Sequence, residues 1–126
     1  MPKYLPVPPK LKINDVLYRD HDMPVHVRLE QRIVWNLFLA LKAKGFQPDK
    51  VFDGDEIIKT PTWKAAIEAL FNLDDAHLYL KKGTHQFWIF FVFGNEIDVI
   101  SDYSYHKPDH EGFCKVMDEF KPEEFA

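Results

Sequence analysis

The sequence lacks several features that mark common functional classes. Its 126 residues include one cysteine, Cys114, so an internal disulfide bond is not possible. No apolar run approaches the roughly 20 residues of a membrane span, and the first fifteen residues do not contain the continuous apolar core of a secretory signal. Together these absences favour a cytoplasmic protein in a reducing environment, without a membrane partner.

Recognised catalytic motifs are absent as well. The chain has no glycine-rich phosphate loop, no nucleophile elbow and no cysteine pair with metal-ligand spacing. We therefore expect neither enzymatic activity nor a bound cofactor. A basic stripe with interleaved aromatic residues is also missing, and so direct binding to nucleic acid is not expected.

Charge is distributed unevenly along the chain, although the net charge is only −4. Residues 1–50 contain nine Lys or Arg and five Asp or Glu, whereas residues 51–126 contain seven Lys or Arg and fifteen Asp or Glu. The acidic residues are scattered over predicted turns and helix faces, which is typical of a solvated surface. A second interpretation stays open, in which the acidic portion imitates nucleic acid and inhibits a DNA-binding protein.

A strongly apolar segment lies at the centre of the sequence. Residues 87–93 read FWIFFVF, side chains that favour strands, and turn residues bound the run on both sides. Together with the alternating patterns before and after it, this run predicts a three-stranded antiparallel meander at about 76–81, 86–93 and 97–102. Because the middle strand has no polar side, we expect both of its sides to be covered after assembly.

Helical periodicity flanks this meander. Apolar residues at helical spacing predict helices at about 24–44, 61–72 and 108–120. A short ribbon near 51–58 is predicted around an Asp-Gly turn. The predicted fold class is therefore α+β, with the helices packed on the meander.

The beginning of the chain is rich in proline. Four prolines lie within residues 2–9, which favours an extended, polyproline-like arm at 1–15 ahead of a single α+β domain at 16–126. Apolar residues between the prolines argue against a free tail. The arm is expected either to lie across its own domain or to reach a partner subunit.

The chain is also unusually aromatic, with 15% Phe, Trp and Tyr. A large core packed with phenylalanine is one explanation for this excess. An interface is the other, because aromatic side chains are favoured at interface centres. We therefore expect a non-enzymatic interaction protein that binds itself, as a homodimer, or an unknown protein. The expected interface residues are Trp88, Phe90 and Val92 on the middle strand, and Tyr4 and Leu5 in the arm.

One set of residues supports an alternative function. Asp98, Asp102, His106 and His110 are the best candidates for metal ligands, because carboxylate and imidazole groups suit zinc, manganese or iron. In this alternative the protein is a metal-dependent hydrolase. The spacing argues against it, because Asp98 and Asp102 are expected on one strand with their Cα atoms about 13 Å apart. Pro108 also separates the two histidines.

Two short motifs resemble a known group of proteins. The sequence DGDE at 53–56 and the sequence GNEIDVISDYS at 94–104, with the helical segment 32–45, resemble a group of small uncharacterised bacterial proteins, some of them carried by phages and plasmids. The resemblance covers roughly residues 28–120 and leaves out the arm. The group has no established activity, so no catalytic residue carries over from it. The resemblance does imply a shared acidic surface formed by Asp53, Glu56, Asp98 and Asp102.

Overall fold

The computed structural model describes residues 25–94 and 96–125, and over these ranges the fold is α+β, as the sequence predicts. In chain order, the helices and strands of the described residues are α1 Val25–Ala43, β1 Gln47–Phe52, β2 Ile57–Lys59, α2 Trp63–Leu70, β3 Asp75–Lys82, β4 His85–Val92, β5 Ile100–Tyr103 and α3 Phe113–Glu119. Within these ranges, no helix has the length and apolarity needed to cross a membrane. The predicted boundary between arm and domain, at residue 15, lies outside the described residues.

The five strands form one antiparallel sheet in the order β2-β1-β3-β4-β5. β3, β4 and β5 correspond to the predicted meander, and β4 lies between its two neighbours as expected. The predicted ribbon is not a separate unit, because β1 pairs along β3 and adds two strands to the sheet. The sequence did not indicate this, since pairing between segments that are distant along the chain leaves no local pattern.

The third strand of the meander begins later than predicted. It starts at Ile100 rather than at 97, because Glu96–Val99 forms a 3-10 turn. This turn opens with Glu96 in a left-handed conformation at φ 56°, directly after the turn that contains Gly94. The left-handed residue breaks the extended backbone that a strand requires.

The third helix is also shorter than predicted. It starts at Phe113 rather than at 108, because Glu111 and Gly112 have positive φ angles of 56° and 75° that a right-handed helix does not tolerate. The carboxylate of Asp109 accepts hydrogen bonds from two backbone N–H groups in the first turn of α3, which fixes the start of the helix. The first two helices agree with the prediction to within two residues at each end.

The core lies between the helices and one side of the sheet. The apolar stripe predicted for α1 is buried, and its members are Ile33, Val34, Leu37, Phe38 and Leu41. The matching buried residues of β3 and β4 are Ala76, Leu78, Leu80, Phe87, Ile89 and Phe91. We call this side of the sheet the inner face. Complete burial contributes about 1.5–3 kcal/mol for each large apolar side chain.

A buried carboxylate joins α1 to the end of β4. Glu30 is 1% exposed, and its Oε2 accepts hydrogen bonds from the backbone N–H groups of Gly94 at 2.7 Å and Glu96 at 2.8 Å. Backbone N–H groups that are removed from water need such an acceptor. Glu30 therefore holds the chain reversal that returns β4 towards β5.

Replacing Glu30 with alanine is expected to lower the free energy of unfolding by about 2–3 kcal/mol, because two backbone N–H groups lose a charged acceptor. Glu30→Gln keeps one acceptor oxygen and should lose less. Urea denaturation measures both changes. Glu119→Ala, at an exposed position of α3, is the control and should change stability by no more than about 0.5 kcal/mol. Equal losses for Glu30→Ala and Glu119→Ala would contradict the assigned role.

Candidate functional site

The side of the sheet opposite the inner face is the candidate functional site, and we call it the outer face. Side chains alternate between the two sides of a strand, so the register of the sheet defines which residues belong to it. The outer-face residues include Lys50, Phe52, Ile57, Lys59, Asp75, His77, Tyr79, Lys81, Trp88, Phe90, Val92 and Asp102. Its apolar members are not among the residues that form the core or pack against it.

His77 lies at the centre of an aromatic cluster on the outer face. Its ring stacks on Phe90, its direct partner on β4, with centroids 4.5 Å apart and planes 28° apart. Trp88 meets the same imidazole edge-on at 5.4 Å, and the Tyr79 ring, with its centroid 6.4 Å from that of His77, is inclined to it by 27°. Cross-strand pairs of this kind each contribute about 0.2–1 kcal/mol. All four side chains are half-buried, so each keeps part of its surface exposed.

The two sides of the middle strand are buried to different extents. Its inner residues are buried under the helices, as expected. Its outer residues Trp88, Phe90 and Val92 are only half-buried. The expected arm residues Tyr4 and Leu5 lie outside the described residues. The expectation that both sides are covered is thus met on the inner face, and on the outer face it stays a prediction.

Charged residues on the outer face lie at two opposite corners. Lys50 and Lys59 are paired neighbours on β1 and β2, and the ammonium group of Lys50 lies 5.4 Å from the ring centroid of Tyr79. Asp102 lies on β5 at the far edge of the sheet, opposite Phe90. Basic and acidic residues are thus separated across the aromatic cluster.

Along the strands, basic and acidic residues are only partly separated. Lys81 is at one end of β3, and Asp75 is at the other. The ammonium group of Lys81 is 4.0 Å from the carboxylate of Asp49, which also accepts a hydrogen bond from Gln86 at 3.3 Å. The Lys50 corner borders an open cavity of about 500 Å³, whose lining includes Ile57, an isoleucine that is 59% exposed.

The structure does not bring the four candidate metal ligands together. Asp98 lies in the 3-10 turn and Asp102 on the outer face of β5, so the expectation that they share a strand is wrong. His106 and His110 are close, with ring centroids 5.5 Å apart. Over the described ranges, no group of three or more His, Cys, Asp or Glu side chains is placed to hold a metal ion.

A histidine that the sequence did not indicate, His85, stacks on His110. The His85 ring lies 4.3 Å from the His110 ring with planes 13° apart, and its Nδ1 is 3.4 Å from a carboxylate oxygen of Glu111. Nearby, Cys114 is buried, and this burial raises the pKa of its thiol. A protonated, buried thiol is a poor nucleophile at neutral pH.

The acidic residues that the resemblance groups together lie at opposite edges of the sheet. Asp53 lies in the β1–β2 turn, where its Oδ1 accepts hydrogen bonds from the N–H groups of Glu56 at 2.7 Å and Asp55 at 2.8 Å. These bonds lower the pKa of Asp53. β3 and β4 separate this turn from Asp98 and Asp102. The geometry therefore does not support one shared acidic surface.

The sequence indicated only part of the outer face. Trp88, Phe90 and Val92 stood out because they belong to a continuous apolar run. His77 and Lys50 did not, because each is a single polar residue whose neighbours depend on strand pairing. Alternation along β3 places His77 and Tyr79 on the same side of the strand. This alternation was the one feature of the sequence that could have indicated that His77 belongs to the site.

α3 is attached to β5 by a tyrosine–carboxylate hydrogen bond with a measurable pH dependence. The Tyr103 hydroxyl donates to Asp118, and this bond raises the pKa of Tyr103 to about 12 from its ordinary value near 10. Because the pKa is higher in the folded state, the stabilisation is complete below about pH 10 and is lost as the pH rises towards 12.

Tyr103→Phe is therefore expected to be about 1 kcal/mol less stable than the unaltered protein at pH 8, and this difference should shrink between pH 10 and 12. Urea denaturation over this pH range measures it. Tyr105→Phe is the matched control, since Tyr105 is 66% exposed and should give no pH-dependent difference. If the difference in unfolding free energy between Tyr103→Phe and the unaltered protein stays constant up to pH 12, the hydrogen bond to Asp118 is not the cause of that difference.

Comparisons with known proteins found no match to this chain among family models, curated protein sequences or solved structures.

Proposed function

We propose that the protein works as a non-enzymatic interaction protein, and that the outer face of its sheet binds a second copy of the chain. The observation that carries the proposal is the aromatic cluster around His77, which is half-buried and does not pack against the core. Aromatic side chains in such positions form the centres of protein interfaces. Three of the residues expected at the interface, Trp88, Phe90 and Val92, belong to this face.

The charges of the outer face favour a second copy over other partners. Among the described strand residues, its lysines are Lys50, Lys59 and Lys81 and its aspartates are Asp75 and Asp102. Asp49, at a register shift in β1, adds a third carboxylate through its contacts with Lys81 and Gln86. A surface that binds nucleic acid needs a net positive charge, and a surface that imitates nucleic acid needs a net negative charge. Equal numbers of both charges support neither of these functions.

The charges at the two edges of the sheet, Lys59 on β2 and Asp102 on β5, are complementary to each other. A two-fold axis that runs parallel to β3, midway between two facing outer faces, brings β5 of one copy opposite β2 of the other. Asp102 then lies opposite Ile57 of the second copy, and Lys59, two residues or about 7 Å further along β2, reaches Asp102 with its long side chain. The same contact occurs twice by symmetry. Each pair lies at the rim of the interface, where opposite charges set orientation more than affinity.

The same axis brings the aromatic residues to the centre of the interface. β4 of one copy lies over β1 of the other, so that Trp88 and Phe90 meet Phe52 and the stem of Lys50. The two sheets would be about 10 Å apart, the usual spacing for packed sheets. His77 lies near the axis and packs against the His77 of the second copy.

Phe90→Lys is expected to raise the dissociation constant of the dimer about 30-fold or more, because it buries a charge at the centre of the interface. Sedimentation equilibrium over a range of concentrations measures this constant. Tyr105→Lys is the control, because it changes an exposed tyrosine that is not on the outer face and should leave the constant unchanged. Equal effects of the two substitutions would count against the outer face as the interface.

A charge exchange tests the orientation of the two copies. Lys59→Glu and Asp102→Lys should each weaken self-association, because each places like charges opposite one another twice in the dimer. An equimolar mixture of the two variants should form a heterodimer in which both pairs are again attractive. Native mass spectrometry distinguishes the heterodimer from both homodimers. A mixture with no excess of heterodimer over the statistical amount would contradict this orientation.

A further inference from the structure

The cavity at the corner of the sheet formed by β1 and β2 concentrates positive charge. Its volume is about 500 Å³, and the charged residues of its described lining are three lysines and one aspartate, Lys50, Lys59, Lys81 and Asp49. Asp49 is already engaged, because its carboxylate lies 4.0 Å from the Lys81 ammonium group and accepts a hydrogen bond from Gln86. The described lining therefore has two more positive charges than negative ones.

The other two lysines of the cavity, Lys50 and Lys59, are direct neighbours on adjacent strands. They are paired in the register of β1 and β2, and both side chains keep surface exposed to solvent. Within residues 25–94 and 96–125, neither lysine forms an ion pair. Like charges directly opposite each other on neighbouring strands repel and are destabilising. An anion between the two ammonium groups relieves this repulsion.

The acidic turn between β1 and β2 is separate from this group of lysines. Its carboxylates, in residues 53–56, are not part of the described lining. The Asp53 carboxylate accepts hydrogen bonds from the backbone N–H groups of Asp55 and Glu56, so its charge is used within the turn itself.

Apolar side chains complete the cavity. Pro48 and Pro61 belong to its lining, together with Ile57, which is 59% exposed. Sites for small molecules have volumes of about 300–1,000 Å³ and combine apolar walls with a few polar groups that fix the orientation of the ligand. A ligand that matches this cavity has a compact anionic group and an apolar body.

The type of cation favours a phosphate group as the anion. Lysine binds phosphate as a point charge, whereas planar carboxylates are best recognised by the fork of an arginine, and the described lining contains no arginine. A phosphate monoester carries about 1.5–2 negative charges at neutral pH, which balances the two excess positive charges. We infer that the cavity binds a small, soluble phosphate monoester, with the phosphate between Lys50 and Lys59 and the apolar body against Ile57.

This site uses the residues of a single chain. In the proposed dimer, Asp102 of the second copy also reaches Lys59, so that a bound phosphate competes with this carboxylate for the lysine. Competition of this kind rests on the proposed function, whereas the binding of the phosphate monoester does not.

Titration of the ¹⁵N-labelled full-length chain with phenyl phosphate tests the site. At a constant ionic strength of about 0.15 M, attraction by distant exposed charges is largely screened. We expect saturable shifts of the backbone amide signals of residues 49–51, 57–59 and 81. Inorganic phosphate should shift the same signals with lower affinity, because it lacks the apolar body. Shifts that do not saturate, or that are as large at Lys115 and Lys121 as in the cavity, overturn the inference.

Lys50→Ala and Lys59→Ala should each raise the dissociation constant of phenyl phosphate about tenfold, because a charge-assisted contact with the phosphate is lost. Lys115→Ala is the matched control, since it removes the same charge from an exposed position of α3 and should leave the constant unchanged. Ile57→Ser should weaken the binding of phenyl phosphate and not that of inorganic phosphate. Equal effects of Lys59→Ala and Lys115→Ala would overturn the inference.

Two further measurements separate the source of the phosphate and the role of the dimer. Vesicles that contain phosphatidic acid present the same chemical group on a lipid. Co-sedimentation with these vesicles, without shifts by phenyl phosphate, overturns the assignment to a soluble ligand. Self-association of the unaltered chain is measured without ligand. A monomer that binds phenyl phosphate contradicts the proposed dimer alone, and a dimer that does not bind it contradicts this site alone.

Discussion

The alternation of side chains along β4, in register with β3, is the constraint on which the rest of the structure depends. Because every residue of β4 has a fixed partner on β3, one set of apolar residues meets the helices and the other set points away from them. A shift of the register by one residue would exchange the two sets. It would bring His77, the partner of Phe90, into the core without an assigned hydrogen-bond partner.

The two sides of the sheet are stabilised in different ways. The inner face is a closed core, in which side chains such as Phe87 and Phe91 are almost completely buried. The outer face carries aromatic rings that contact one another and remain half-buried, with Lys59 and Asp102 at opposite edges of the sheet. Natural surfaces seldom keep contiguous aromatic groups exposed without a use for them. This contrast is the reason to regard the outer face as a binding surface.

The sequence predicted those features that depend on local patterns. The stripe from Ile33 to Leu41 has helical spacing, and the run 87–93 is bounded by turns, so the first helix and the central strand were found. The pairing of β1 with β3 depends on residues distant in the chain, and it was missed. The late start of α3 depends on the left-handed backbone at Glu111, which no residue preference indicates.

In the candidate site, too, the residues that form a local pattern were predicted and those that depend on strand pairing were not. Trp88, Phe90 and Val92 were identified from one apolar segment. His77 and Lys50 enter the site only through cross-strand register, and Asp102 was assigned to a metal site rather than to a charged corner. The polarity of Gln31 would by itself suggest an exposed position on the first helix. Its complete burial is a property of the tertiary structure that the helical pattern does not contain.

The mass of the unaltered protein in solution tests the central claim most directly. Sedimentation equilibrium from low micromolar concentrations upward should give a species of twice the 14.9 kDa of one chain. The account predicts that the dimer persists at physiological salt, because its centre is aromatic and its charged pairs lie at the rim. A mass of 14.9 kDa at every concentration would contradict self-association through the outer face.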